Sequence, residues 1–198
     1  MSACAKRNGS RPRLVVLASG NGTTLQAVLD DPELRAHVVA VGADRFGARA
    51  LERAGQAGVE VFVVPFRDYA DRSAWNRDFE KTLATHDPDL VVLAGFMRIL
   101  DPAIVTRFKI VNTHPALLPA FPGAHAIRDA LAGGAATTGV TVHWVDEGVD
   151  TGPVIAQVVV PIEADDDEDA LRARIQTAEK PLYLSALRQL CREMGDFQ

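Results

Sequence analysis

Cysteine is scarce in this sequence, with two residues in 198, Cys4 and Cys191. Two thiols so placed make neither a disulfide framework nor a Cys-rich metal cluster, so reduced bystanders in a reducing compartment are expected. An excess of positive charge is also missing. Lys and Arg total 21 against 26 Asp and Glu, a formal net charge of -5. That excludes the concentrated basic face of a nucleic-acid binder, although an acidic protein can still hold an anion locally at a helix N-terminus. No apolar run approaches the length of a membrane span. The opening MSACAKRNGSRPR places no apolar stretch behind its basic residues, as a secretory signal requires. The expectation is a cytoplasmic protein with neither a membrane nor a nucleic acid among its partners. Repeats, low-complexity tracts and domain linkers are lacking too.

What is present is a large apolar fraction, 47% of residues, enough for one domain with a buried core. Residues 1–12 read as a disordered N-terminal tail and 13–198 as a single domain. Short unbroken apolar runs at 14–18, 38–42, 59–64 and 90–94 predict strands covered on both faces. Amphipathic stretches at 24–29, 48–57 and 69–85 predict helices between them. Trp75, Phe79 and Leu83 are expected in the core. This alternation gives right-handed βαβ units and a parallel sheet between two helical layers. Beyond Val111 the pattern changes. Runs at 140–145 and 154–161 are joined by a loop too short for a parallel crossover, so they predict an antiparallel pair. The fold class is therefore α/β, a three-layer, mostly parallel twisted sheet with antiparallel strands in its C-terminal part. A last helix should begin at the acidic run 165–169, where carboxylates favour the dipole, and Pro181 should kink or break it.

Four segments could carry chemistry. Ser19-Gly20-Asn21-Gly22-Thr23-Thr24 follows the first strand and opens a helix, as a phosphate cradle does. It lacks the third glycine of a dinucleotide fingerprint and the Gly-Lys-Ser/Thr of a Walker loop, and a plain strand-to-helix turn would look the same. Val111-Asn112-Thr113-His114-Pro115 ends a strand with an amide and an imidazole two residues apart, hence on one face. Such a pair can stabilise an oxyanion, and the Pro-rich run behind it would hold the ring in place. The loop from Asp146 to Pro153 offers two carboxylates, Asp146 and Asp150, either of which could reach His114. A solvated hairpin turn would have the same composition. Gly95-Phe96-Met97-Arg98-Ile99-Leu100 is an unusually apolar exit loop, suited to local packing or to one wall of a pocket for a flat ligand.

Taken together, Ser-Gly-Asn-Gly, Gly-Phe-Met-Arg-Ile-Leu, Asn-Thr-His-Pro-Ala-Leu-Leu-Pro-Ala-Phe-Pro-Gly and Asp-Thr-Gly-Pro resemble the folate-dependent glycinamide ribonucleotide transformylases. The resemblance spans residues 14–184. It implies a Rossmann-like formyltransferase fold and transfer of a formyl group from 10-formyltetrahydrofolate to the amine of glycinamide ribonucleotide. The products would be formylglycinamide ribonucleotide and tetrahydrofolate, in purine biosynthesis and without a metal. The family's catalytic trio falls on Asn112, His114 and Asp150. Its phosphate and ribose contacts fall on Gly22, Thr23, Thr24, Gln176 and Glu179. Its folate contacts fall on Met97, Arg98, Ile99 and Leu100 with Asn112, and Arg72 matches the arginine that meets the folate's glutamate tail. Partners would be these two small molecules, with the chain a monomer or a homodimer. Thr24 stands where many members carry Asn, and the segment 107–112 and the C-terminus are short by family standards.

Rival readings share the scaffold. A formyl-folate hydrolase would normally carry an N-terminal regulatory domain, for which the dozen residues before the first strand leave no room. A methionyl-tRNA formyltransferase would add a C-terminal tRNA-binding domain. A sugar-amine formyltransferase fits less well, because the Gly22 turn with Gln176 and Glu179 suits a ribose phosphate. A non-catalytic folate-binding protein would have no use for the trio.

Overall fold

The computed structural model describes residues 11–196. Cys4 and most of the expected N-terminal tail lie outside the described residues. At its near end Pro12 is buried and its carbonyl accepts from His37 Nδ1 at 3.0 Å.

The apolar runs form the strands β1 (Leu14–Leu17), β2 (Val38–Ala43), β3 (Glu60–Val63), β4 (Leu90–Leu93), β5 (Ile110–His114), β6 (Thr137–Trp144) and β7 (Val154–Pro161). The helices are α1 (Thr23–Asp30), α2 (Pro32–Arg35), α3 (Arg49–Gln56), α4 (Arg72–Thr85), α5 (Pro102–Arg107), α6 (Ala126–Ala132) and α7 (Glu168–Asp196). All seven strands join one sheet in the order β3-β2-β1-β4-β5-β6-β7. Pairings are parallel from β3 to β5 and antiparallel for β5 with β6 and β6 with β7. The predicted mixed α/β sheet is thus observed.

Strand side chains alternate between two apolar layers, as the pleat requires. Leu14, Val16 and Ala18 with Leu90, Val92 and Ala94 pack beneath α1, α3 and α7. Val15 and Leu17 with Val91 and Leu93 pack against Trp75, Phe79, Leu83 and Ile104 of α4 and α5. Trp75, Phe79 and Leu83 have no exposure at all, so they belong to the core. A third cluster seats α6 and the start of α7 on β6 and β7, through Ile127, Val140, Val160, Leu171 and Ile175.

Three expectations need correction. The strand expected at 59–64 is not covered on both faces: β3 is the edge of the sheet, with Glu60 and Val61 exposed. The helix expected from residue 69 begins at Arg72, because Asp71 caps it by accepting from Ala74 N at 2.8 Å. Ahead of it Phe66–Asp68 forms a 3-10 turn. Pro181 does not break the last helix, which runs unbroken over Glu168–Asp196. An interior proline costs a helix about 3 kcal/mol. Here it is outweighed by burial on both sides of it, Leu171 and Ile175 before and Tyr183, Leu187 and Leu190 after. Pro181 is itself exposed, so water can reach the carbonyl its missing N–H leaves unpaired.

The chain builds β1 to β3 outward on one side, then crosses to lay β4 on the other side of β1. The carboxyl ends of β1 and β4 therefore flank the topological switch point, where open α/β sheets bind ligands. The loops leaving these strands are tied to each other. Ser19 N donates to Gly95 O at 3.1 Å and Met97 N to Ser19 Oγ at 2.9 Å. Beneath them the buried Tyr183 hydroxyl lies 3.0 Å from Leu93 O and 3.2 Å from Val111 O, bridging β4 and β5 just below the residues that reach the cleft.

Candidate active site

A cleft of about 660 Å³ opens at this switch point. Its lining brings together the Ser19–Thr24 turn, the Gly95–Leu100 loop, Asn112 and His114 of β5, the β6–β7 loop including Asp150, and Gln176 and Glu179 of α7. Of the candidate catalytic and binding residues, Arg72 alone is outside the lining. It stands exposed at the rim, where its guanidinium donates to the Ile99 carbonyl.

The reacting end is built across strands. Antiparallel pairing sets Asn112 opposite His143 and His114 opposite Thr141. The β6–β7 loop returns under them because Gly152 lets it close. A Cβ at Gly152 would lie 1.8 Å from the Trp144 carbonyl oxygen. Asp150 adopts a left-handed conformation, φ 55°, which Asp tolerates better than most residues. Its Oδ2 lies 3.2 Å from His114 Nδ1 and accepts from Gly123 N at 2.8 Å. Of the two loop carboxylates, then, Asp150 meets the imidazole. Asp146 instead folds the loop on itself, accepting from Gly148 N and Thr151 Oγ1 at 3.1 and 2.7 Å.

His114 is 4% exposed. Its Nε2 is 2.8 Å from the carbonyl oxygen of Phe121. With a carboxylate at one ring nitrogen and a carbonyl at the other, both neighbours are acceptors. Only the doubly protonated ring can donate to both.

A second histidine, His143, belongs to the same cluster. Its Nδ1 is 2.9 Å from Trp144 O, an acceptor, so that nitrogen carries the hydrogen. Nε2 then has a lone pair 3.5 Å from Asn112 Nδ2, and it lies 3.6 Å from Asp150 Oδ1. An amide has two N–H groups, so Asn112 can face His143 with one and the cleft with the other. Sequence reasoning missed His143. The only trace is a polar residue inside the apolar run VTVHWV, and the register that sets it opposite Asn112 cannot be read from one strand.

The other regions of the cleft divide by chemistry. At the Gly-rich turn, Gly22 has φ 68° and caps α1 without a side-chain hydrogen bond, so the first N–H groups of the helix lack intrahelical acceptors. The turn packs tightly, since a Cβ at Gly22 would lie 2.8 Å from Ala50 Cα. Thr24 Oγ1 is 3.4 Å from Glu179 Oε1. Burial pushes the Glu179 carboxyl above the ordinary glutamate range, against the opposing pull of the Thr24 hydroxyl and Lys180. Along the β4 exit loop, Met97 and Ile99 are 77% and 61% exposed, while Leu100 is buried. Phe96 anchors this loop by stacking on Phe79, centroids 5.6 Å apart. Arg98 lies over the Phe66 ring at 4.2 Å, with its Nε 2.7 Å from buried Asp44. An exposed apolar loop, an amide-rich turn and the histidine cluster thus line one cleft.

Residues 12–187 match the formyl transferase family. The chain is 52% identical to phosphoribosylglycinamide formyltransferase of Mycobacterium tuberculosis over 182 residues, 90% of this chain and 84% of that protein. It is 43% identical over 187 residues to the trifunctional purine biosynthetic protein adenosine-3 of Drosophila melanogaster, covering 91% of this chain and 14% of that one. Among solved structures, glycinamide ribonucleotide transformylase 1 of Symbiobacterium toebii superposes with a TM-score of 0.88 at 39% identity over 94% of both chains.

Proposed function

The chain belongs to the formyl transferase family, and on that premise we propose that it transfers the formyl group of 10-formyltetrahydrofolate to the amine of glycinamide ribonucleotide. The products are formylglycinamide ribonucleotide and tetrahydrofolate, a step of purine biosynthesis. The observation that carries this reading is the convergence of Asn112, His114 and Asp150 between an amide-rich turn and an apolar wall.

The Gly22, Thr23 and Thr24 turn binds the substrate phosphate, and Gln176 and Glu179 bind its ribose. Met97, Arg98, Ile99 and Leu100 hold the folate ring, with Asn112 at its reacting end and Arg72 meeting the glutamate tail from the rim. Holding both reactants in register can contribute on the order of 7 kcal/mol at best-case effective molarities.

The neutral amine attacks the formyl carbon, a C–N bond forms, and the carbonyl electron pair moves to oxygen. Asn112 donates its cleft-facing N–H to that oxyanion. The imidazolium of His114, oriented by Asp150, donates a second hydrogen bond to it. Collapse breaks the bond to the folate nitrogen. The proton lost by the amine reaches that nitrogen through His114 or an ordered water. His143 fixes the rotamer of Asn112 by accepting from its amide at Nε2.

Offering both substrates and following the folate spectrum tests this. Formyl transfer that requires the amine supports the proposal. Amine-independent loss of formyl would make the chain a hydrolase, and binding without turnover would make it a carrier.

A further inference from the structure

Three arginines line the cleft, Arg45, Arg98 and Arg172. Two are already paired, Arg98 with Asp44 and Arg172 with Glu168. Arg45 has no carboxylate partner among the described residues. Its Nε donates to Ser19 O at 2.5 Å, which fixes the guanidinium against the Gly-rich turn. A Cβ built on Gly20 would lie 3.8 Å from Arg45 Nη2, so the unspent end of the fork lies alongside the turn.

The turn's carbonyls are all engaged by the protein. Ser19 O accepts from Arg45. Gly20 O accepts from Ala50 N at 3.1 Å, and Asn21 O from Arg53 Nε at 2.8 Å. Gly22 O closes the first turn of α1 by accepting from Gln26 N at 2.8 Å. Across a trans peptide the next N–H points opposite to the carbonyl. Anchoring the carbonyls of Ser19, Gly20 and Asn21 therefore aims the N–H groups of Gly20, Asn21 and Gly22 the other way. Arg53, which also donates to Gln26 Oε1 at 2.9 Å, acts on the turn without lining the cleft. Arg45 does both.

We propose that Arg45 is the specificity-determining residue for the phosphate of the acceptor, supplying its counter-charge, and that Arg53 is a positioning residue keeping the turn in its anion-binding form. The assignment rests on the acceptor being a phosphorylated amine. A dianion in a cleft whose lining also holds Asp146, Asp150 and Glu179 needs an uncompensated cation at its end, and Arg45 is the one placed there. Arginine suits the role because its planar fork can bond the turn and an anion at once.

Arg45→Met removes the charge while retaining most of the length. The KM for glycinamide ribonucleotide should rise about thirtyfold, the scale of one lost charged hydrogen bond. Its kcat and the KM for formyl-folate should stay within about twofold, and kcat/KM for the unphosphorylated glycinamide riboside should not fall. Arg45→Lys should recover part of the loss, and Arg53→Met should raise the same KM about fivefold. Equal losses on both amines would reduce Arg45 to a structural brace, and an unchanged KM in Arg45→Met would overturn the assignment outright. Inorganic phosphate titrated calorimetrically into the wild type and Arg45→Met decides the matter without catalysis. About tenfold weaker binding in the variant is expected, and equal binding overturns the proposal. A wild type that formylates neither amine would refute the proposed function, and the phosphate titration would still judge Arg45.

Discussion

The two ends of the cleft are built in opposite ways. At the anchoring end, one contiguous turn, 19–24, provides most of the binding groups from its backbone, with Arg45 beside it and Arg53 holding that backbone in place. At the reacting end, the groups are side chains from β5, β6 and the β6–β7 loop, brought together by antiparallel register and a tight loop. A backbone site tolerates change in its own side chains but not a change in its turn or in the arginines that bond it. A cross-strand side-chain site has the reverse sensitivity. Substitutions at the reacting end should therefore act on kcat, and those at the anchoring end on the KM of the amine.

The largest effect is expected for His114→Ala, with kcat falling about a thousandfold or more, since it removes an oxyanion donor and a proton carrier together. Circular dichroism should show an intact fold. A kcat within tenfold of wild type would remove His114 from the chemistry. Asp150→Asn keeps the shape and removes the charge beside His114, and a loss of about a hundredfold in kcat is expected, with the amine KM changed little. A dominant rise in KM would move Asp150 to the anchoring end and erase the contrast. His143→Gln is the sharper test because its role runs through Asn112. It should lower kcat about tenfold, and combining it with Asn112→Ala should add little to the loss from Asn112→Ala alone. Full additivity would separate the two residues. At the other end, Gly22→Ala places a methyl 2.8 Å from Ala50 at positive φ. It should raise the amine KM about tenfold and cost about 1 kcal/mol or more of stability, with kcat nearly unchanged.

The same contrast governs how much could be read from the sequence. The anchoring turn is local, so its glycines and following helix were legible as residues 19–24, and the apolar exit loop was legible as a wall. The centre of the parallel half was legible because β1, β2 and β4 are unbroken apolar runs, almost wholly buried. The trio came from resemblance, because composition alone left Asp146 and Asp150 equivalent. Only the closure of the loop on β6 at Gly152 separates them. His143 and Arg45 depend on pairing register and on the packing of one loop against another, neither of which has a local signature. Two of the three short helices that went unanticipated did carry one. Asp31-Pro32 and Asp101-Pro102 each place a capping carboxylate before an N1 proline, the usual opening of a helix.

Glu179 offers the smallest and most discriminating effect, because function and stability should move in opposite directions there. Burial raises its carboxyl above the ordinary glutamate range. The folded chain therefore keeps this proton over a pH window in which the unfolded chain has released it. Stability falls as pH rises through that window, from the ordinary glutamate value to the raised one, and the penalty is complete above it. Glu179→Gln has no such titration. Relative to wild type it should gain nothing in acid and should melt at a higher temperature once the pH is above that window. Its amine KM should rise a few-fold, because the ribose loses an anionic acceptor. Melting curves at several pH values check the sign. A gain that is the same at every pH would mean that packing, and not the buried charge, separates the two side chains.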